Sequence, residues 1–115
     1  MNSALNDATK EQRTAYGRMV IGECLSEDQV KEFVSIYSDE VIGKPTEAGF
    51  VSSDLLVEEG GNMVISVTRW ETRDACVRYH SSRSYRQFVT KTQHLLVGHF
   101  VVKLFKLQSF TEEGR

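Results

Sequence analysis

Between Phe50 and Trp70 the chain carries two apolar-alternating runs, Phe50 to Val57 and Met63 to Trp70, on either side of the acidic, glycine-rich turn Glu58-Glu59-Gly60-Gly61-Asn62. Two such runs joined by so short a turn pair antiparallel. Side chains of a strand alternate sides, so Val64, Ser66, Thr68 and Trp70 share one face while Met63, Ile65, Val67 and Arg69 share the other. The hairpin therefore commits the chain to a sheet, and the flanking segments must extend and cover it.

Upstream, Met19-Val20-Ile21 lies in a strand-like stretch from Gly17 to Leu25. Ser26-Glu27-Asp28-Gln29 has the form of a capping box in which Ser26 accepts from the Gln29 amide. Val30, Phe33, Val34, Tyr37 and Val41 then trace an apolar stripe on a helix of about four turns, which Gly43-Lys44-Pro45 stops. Downstream, Thr72 is placed to N-cap a helix running to about Tyr79, with Asp74 in its first turn. His80-Ser81-Ser82 reads as a break. A second helical piece follows with Tyr85, Phe88, Val89 and Thr92 inward and Gly98 at its exit. The last strand, His99 to Leu107, puts Phe100, Val102 and Leu104 on one face and Val101, Phe105 and Leu107 with Lys103 on the other, so it is apolar on both sides.

The element order is β-α-β-β-α-β, the ferredoxin-like arrangement of the α+β class with a four-stranded antiparallel sheet. Two helices cover one face of such a sheet. The second apolar face predicts a homodimer, because another copy of the same sheet supplies matching surface. A length of 115 residues suits one domain, read as 17–108, with a polar N-terminal arm over 1–16 and a tail over 109–115. A net charge of -2 gives no electrostatic motive for binding nucleic acid. No apolar run approaches the roughly 20 residues that cross a bilayer. Cys24, Cys76, His80, His94 and His99 show no metal-ligand spacing, and two unpatterned cysteines without a secretory leader predict a cytoplasmic protein.

The Arg69-Trp70-Glu71-Thr72 step that ends the second strand and opens a helix resembles the antibiotic biosynthesis monooxygenase family, small dimeric α+β barrel proteins whose second hairpin ends in Trp-Glu-Ser/Thr. The likeness runs from about Arg18 to Leu107. It implies a pocket between the sheet and helices of one subunit, no metal, flavin or nicotinamide cofactor, and, in the members that make quinones, direct reaction of molecular oxygen with a deprotonated small or polycyclic aromatic. The alternative is a non-catalytic, ligand-binding or stress-related dimer of the same fold. Relatives that degrade haem place a histidine near Val89 and Thr90 and an asparagine on the first strand, and this chain has neither there.

Such chemistry needs an aromatic and apolar slot, donors for a phenolate or carbonyl oxygen, and exclusion of water. The candidate catalytic residues are Trp70, Ser66, Tyr79 and His80. Trp70 would wall the slot, although an indole at a strand end also fits a packed core residue with a satisfied N–H. Ser66 stands where the resemblance leads to an asparagine, Cys76 where it leads to a tyrosine, and Leu56 where it leads to a histidine. Tyr79 lies three residues beyond Cys76 on the same helical face, and His80 at the helix break is a candidate base. Phe50, Thr68, Cys76, Arg86 and Phe88 complete the expected substrate-binding set.

Overall fold

The computed structural model describes residues 14–42 and 47–108. The expected tail, the Gly43-Lys44-Pro45 stop and the arm up to residue 13 lie outside the described residues. Strands β2 (Phe50–Val57) and β3 (Met63–Trp70) pair antiparallel from Phe50↔Trp70 to Val57↔Val64, with one irregularity between Phe50 and Ser52. Their turn is closed by Glu58, whose amide donates to the Met63 carbonyl at 2.9 Å and whose carboxylate accepts from the Met63 amide at 3.1 Å. Gly60, at φ 77°, takes the left-handed conformation that the turn requires.

Strand β1 (Thr14–Glu23) lies between β3 and β4 (Val101–Gln108), antiparallel to both, which gives the order β2-β3-β1-β4. Helices α1 (Glu27–Tyr37), α2 (Arg73–His80) and α3 (Arg83–Thr92) pack on one face. This is the ferredoxin-like α+β architecture. Strand β1 begins at Thr14, within the stretch read as a polar arm, because Tyr16 is paired between Trp70 and Lys106 and packs on the core. Strand β4 begins two residues later than expected, after Gly98 turns the chain at φ 77°. Among the described residues no helix is long and apolar enough to cross a membrane.

The first helix departs from its expected course at both ends. The Ser26 hydroxyl donates to the Gln29 side-chain carbonyl and caps no amide; the helix starts with the Val30 amide on the Ser26 carbonyl at 3.1 Å. Past Tyr37 the coil widens into a π-helical turn, Ser38–Ile42. A wider turn changes the rotation per residue, so an α-helical stripe cannot be extrapolated through it. Val30, Phe33 and Tyr37 are buried, Ile36 and Val41 pack partly against the core, and Val34 is 39% exposed. The turn is tied to α3 by an ion pair between the buried Glu40 and Lys91.

On the helix side of the sheet, Phe33 meets Phe88 edge-on at 5.5 Å and Phe100 at 6.1 Å, and Phe88 stacks on Phe100 at 5.9 Å. Gly22 makes that approach possible, since a Cβ there would stand 2.9 Å from the Phe100 ring. Toward the other end of β1 the same face turns polar, with Arg18, Ser66 and Thr68 all buried. On the opposite face no described element covers Met19, Ile21, Ile65, Val67 and Leu107, which are half-buried, or Leu56, Met63, Val101 and Phe105, which are exposed. Phe33→Ala should cost about 3–5 kcal/mol in urea unfolding, because it opens a cavity among three aromatic rings. Val34→Ala on the exposed flank should cost under about 1 kcal/mol. Equal losses at the two positions would contradict this reading of the helix face.

Candidate functional site

The polar end of the covered face is built around Arg18. Its place on β1, opposite Thr68 of β3 and Leu104 of β4, points the side chain into the layer between sheet and helices, where it is 2% exposed. A buried guanidinium loses several kcal/mol of hydration unless charge or dipoles replace it. Among the described residues no carboxylate pairs with it. The guanidinium carbon instead lies 4.1 Å from the centroid of the Tyr85 ring and 5.2 Å from that of Tyr79, and Nη2 donates to His80 Nδ1 at 2.8 Å. Aromatic faces attract a desolvated cation, so the two rings take over part of what water would supply.

That single hydrogen bond also assigns the imidazole. A guanidinium can only donate, so Nδ1 accepts, and neutral His80 carries its proton on Nε2. Local sequence brings these groups together. Thr72 caps α2 by accepting the Ala75 amide at 3.1 Å, and Ser82 caps α3 by accepting the Tyr85 amide at 3.1 Å. With Ser81 and Ser82 between the helices, Tyr79 and His80 at the end of α2 face Tyr85 at the start of α3; the His80 and Tyr85 rings lie 5.4 Å apart.

Two other polar pairs complete the layer. Ser66 Oγ and the Tyr37 hydroxyl are 2.9 Å apart, and Tyr37 also bonds the Ser53 hydroxyl and the Asp54 carbonyl. Trp70, 1% exposed, donates its indole N–H to Thr68 Oγ1 at 2.9 Å and packs between Phe50 at 5.4 Å and Tyr79 at 5.0 Å. Burial pushes the Tyr79 phenol up to about 12, against the opposing pull of Arg18, so its hydroxyl keeps its proton at neutral pH. The Cys76 thiol is likewise raised by burial, which outweighs Arg18 and Arg73.

Arg18 stands between two spaces. The inner one, bounded by Arg18, Tyr37, Ser66, Thr68, Tyr79 and Phe88 among others, is only about 10 Å³ and holds one water at most. The outer one is a cleft of about 320 Å³ between α2 and β4, lined by Arg18, Cys76, Val77, His80, Val102 and Leu104 with Ser81. That volume is at the small end of the roughly 300–1,000 Å³ of ligand pockets, and the lining is apolar except at the Arg18 and His80 end. A wider groove of about 550 Å³ between α1 and the hairpin turn contains Glu27, Lys31, Val34, Val57 and Glu58 and no buried polar group.

The residues expected from sequence thus fall in four places. His80 and Cys76 line the cleft. Ser66, Thr68, Tyr79 and Phe88 line the inner space. Trp70 and Phe50 pack behind it, and the Trp70 N–H is already taken by Thr68. Arg86 is apart from both, on the outer surface of α3 beside Arg83 and Lys91, where it donates to the Ser81 carbonyl. Sequence reasoning missed Arg18 as a site residue and left Tyr37 and Tyr85 as core. The available signal was a lone cation in a strand of small and apolar residues, at a position that alternation places with Val20 on the covered face. Among the described residues no group of three His, Cys, Asp or Glu side chains could hold a metal ion.

Comparison with solved structures finds the same fold in proteins of low identity. A monooxygenase from the gene ActVA-Orf6 of Streptomyces coelicolor, in complex with nanaomycin D, matches with TM-score 0.72 at 16% identity over 89% of this chain and 95% of that one. A conserved protein from Methanosarcina mazei matches with TM-score 0.69 at 12% identity over 81% and 92%. SnoaB, a cofactor-independent oxygenase from Streptomyces nogalater, matches with TM-score 0.62 at 15% identity over 90% and 99%. No curated protein matches in sequence. The family described as antibiotic biosynthesis monooxygenase matches residues 25–91, more than half of the chain, spanning α1, the hairpin, α2 and most of α3 and leaving β1, with Arg18, outside. The chain belongs to the antibiotic biosynthesis monooxygenase family.

Proposed function

We propose that this protein is a monooxygenase that oxidises a small or polycyclic aromatic with molecular oxygen, without metal, flavin or nicotinamide, in the cleft between α2 and β4. The observation that carries the reading is an apolar slot ending on a hydrogen-bonded His80 and a buried cation. Val77, Val102 and Leu104 flank a planar ring. The polar end receives a phenolic or enolic oxygen. Deprotonation there loads electron density onto the ring, and the electron-rich carbon reacts with oxygen. The balance needs no outside reductant: a phenol and one oxygen molecule give a quinone and one water, with one oxygen atom in the new carbonyl and the other leaving with two substrate hydrogens.

In this scheme His80 is the group that meets the substrate oxygen. Tyr79, Ser66 and Trp70 act from the inner layer by holding the wall of the cleft. The Ser66 hydroxyl, already engaged by Tyr37, favours a second reading in which the protein binds an aromatic and does not oxidise it. Metal-stripped protein incubated under air with anthrone or dihydroxynaphthalenes separates the two. Quinone absorbance should rise with about one oxygen molecule consumed per substrate, and His80→Gln should slow it about 10²-fold or more, the usual range for a lost acid–base group. No rate above buffer across the panel would leave the binding reading.

The partner we propose is a second copy of this chain, seated on the open sheet face. Met63, Ile65, Val67, Val101, Phe105 and Leu107 form one apolar patch there, and burying each is worth ~1.5–3 kcal/mol before association costs. Sedimentation should show a dimer at micromolar concentration, and Phe105→Asp should give monomer or aggregate. A monodisperse wild-type monomer would contradict the pairing.

A further inference from the structure

Arg18 carries more binding capacity than the protein uses. Its guanidinium has five N–H donors. Among the described residues it makes one hydrogen bond, to His80 Nδ1, although it is 98% buried, being 2% exposed. The Tyr85 and Tyr79 rings lie against it at 4.1 and 5.2 Å, so what remains open is its hydrogen-bonding edge. Arg18 lines both the inner space and the 320 Å³ cleft. No carboxylate of the described chain reaches it. A nearly buried cation whose remaining donors border a ligand-sized apolar slot has the make-up of an oxyanion-binding group.

We propose that Arg18 is the anion-binding residue of the cleft, and that the ligand is an aromatic carrying an ionised oxygen, carboxylate or phenolate, held by the guanidinium edge. This deepens the monooxygenase reading by naming the residue that selects an ionised ligand and rests on that reading only for turnover. A ligand oxygen seated at the Arg18–His80 contact takes over the Nη2 donor that His80 Nδ1 holds at rest, while the other donors add to its hold. The lone pair on Nδ1 is then free. With a phenol the exchange completes a proton transfer: the ligand O–H bond breaks, an N–H bond forms on Nδ1, and the electron pair stays on the oxygen facing Arg18. The net charge of the site is unchanged. Arg18 thereby decides when His80 can act as a base, because the bond it makes at rest occupies the lone pair that a base must offer.

The test is calorimetric titration of the full chain with 2-naphthoate, its uncharged methyl ester and 2-naphthol. In wild-type protein the carboxylate should bind at least about tenfold more tightly than the ester, the least expected of a charge-assisted bond from a buried guanidinium. Arg18→Met should abolish that preference, bringing the carboxylate's affinity to about that of the ester. If Arg18→Met does not fold, the wild-type comparison decides alone: equal affinity for carboxylate and ester overturns the proposal, as does a preference that survives in a folded Arg18→Met. Bound 2-naphthol should show the naphtholate absorption band at neutral pH, and a bound form without that band overturns the proton-transfer step. Turnover is a separate readout. Naphthoate binding through Arg18 without any oxygen consumption would keep the anion site and sink the monooxygenase reading; oxygen consumption without charge preference would do the reverse.

Discussion

A guanidinium taken almost wholly out of water on the central strand of a sheet needs replacements for its hydration, and the elements around Arg18 are arranged as those replacements. The Tyr79 and Tyr85 rings come from two helices and His80 from the end of one of them, so the pairing of α2 with α3 is part of how the charge is accommodated. This explains why a two-residue break, and not one continuous helix, lies between Tyr79 and Tyr85. The Ser82 cap lets α3 start afresh and turn the Tyr85 ring onto the cation. It also explains why the same sheet face is aromatic and tightly packed near Gly22 yet polar near Arg18: one end builds the core and the other builds the site.

The division of labour extends across the layer. Tyr37 comes from the last turn of α1, just before the coil widens, and reaches over to Ser53 and Ser66 on the hairpin. Glu40, in the widened turn, is pinned by Lys91 on α3. The inner space is thereby closed on the α1 side, whereas among the described residues the outer cleft stays open beside β4, where Leu104 is 40% exposed and no described helix lies over that edge. Access to Arg18 is therefore from the β4 side.

Much of this fold was legible in the sequence because period-two and helical patterns report burial directly. The alternation over Met63 to Trp70 matches the observed burial along β3, and Thr72 caps as its residue type suggests. What failed to read through were features set by partners distant in the chain. Past Tyr37 the turn widens and still brings Val41 partly onto the core, whereas Val34, on the flank of α1, is exposed although spacing alone places it in the stripe. Tyr16 reads as part of a polar arm until Trp70 and Lys106 pair with it. Arg18 reads as a strand residue like its neighbours, since nothing local says that its charge will meet two tyrosines and a histidine more than sixty residues away. The candidate site was accordingly half visible: the residues on β3 and α2 were found by motif and by loop position, while the cation that organises them was not.

The arrangement of the site depends on the hydrogen bond between Arg18 and His80, and the protonation of one ring nitrogen reports it. Long-range nitrogen–proton NMR correlation of the imidazoles in the ligand-free protein distinguishes the two neutral tautomers. The structure predicts that neutral His80 carries its proton on Nε2 and has an unprotonated, hydrogen-bonded Nδ1, and that Arg18→Met removes that preference. A neutral His80 protonated on Nδ1 in the wild-type protein would contradict the bond, and with it the arrangement of the site.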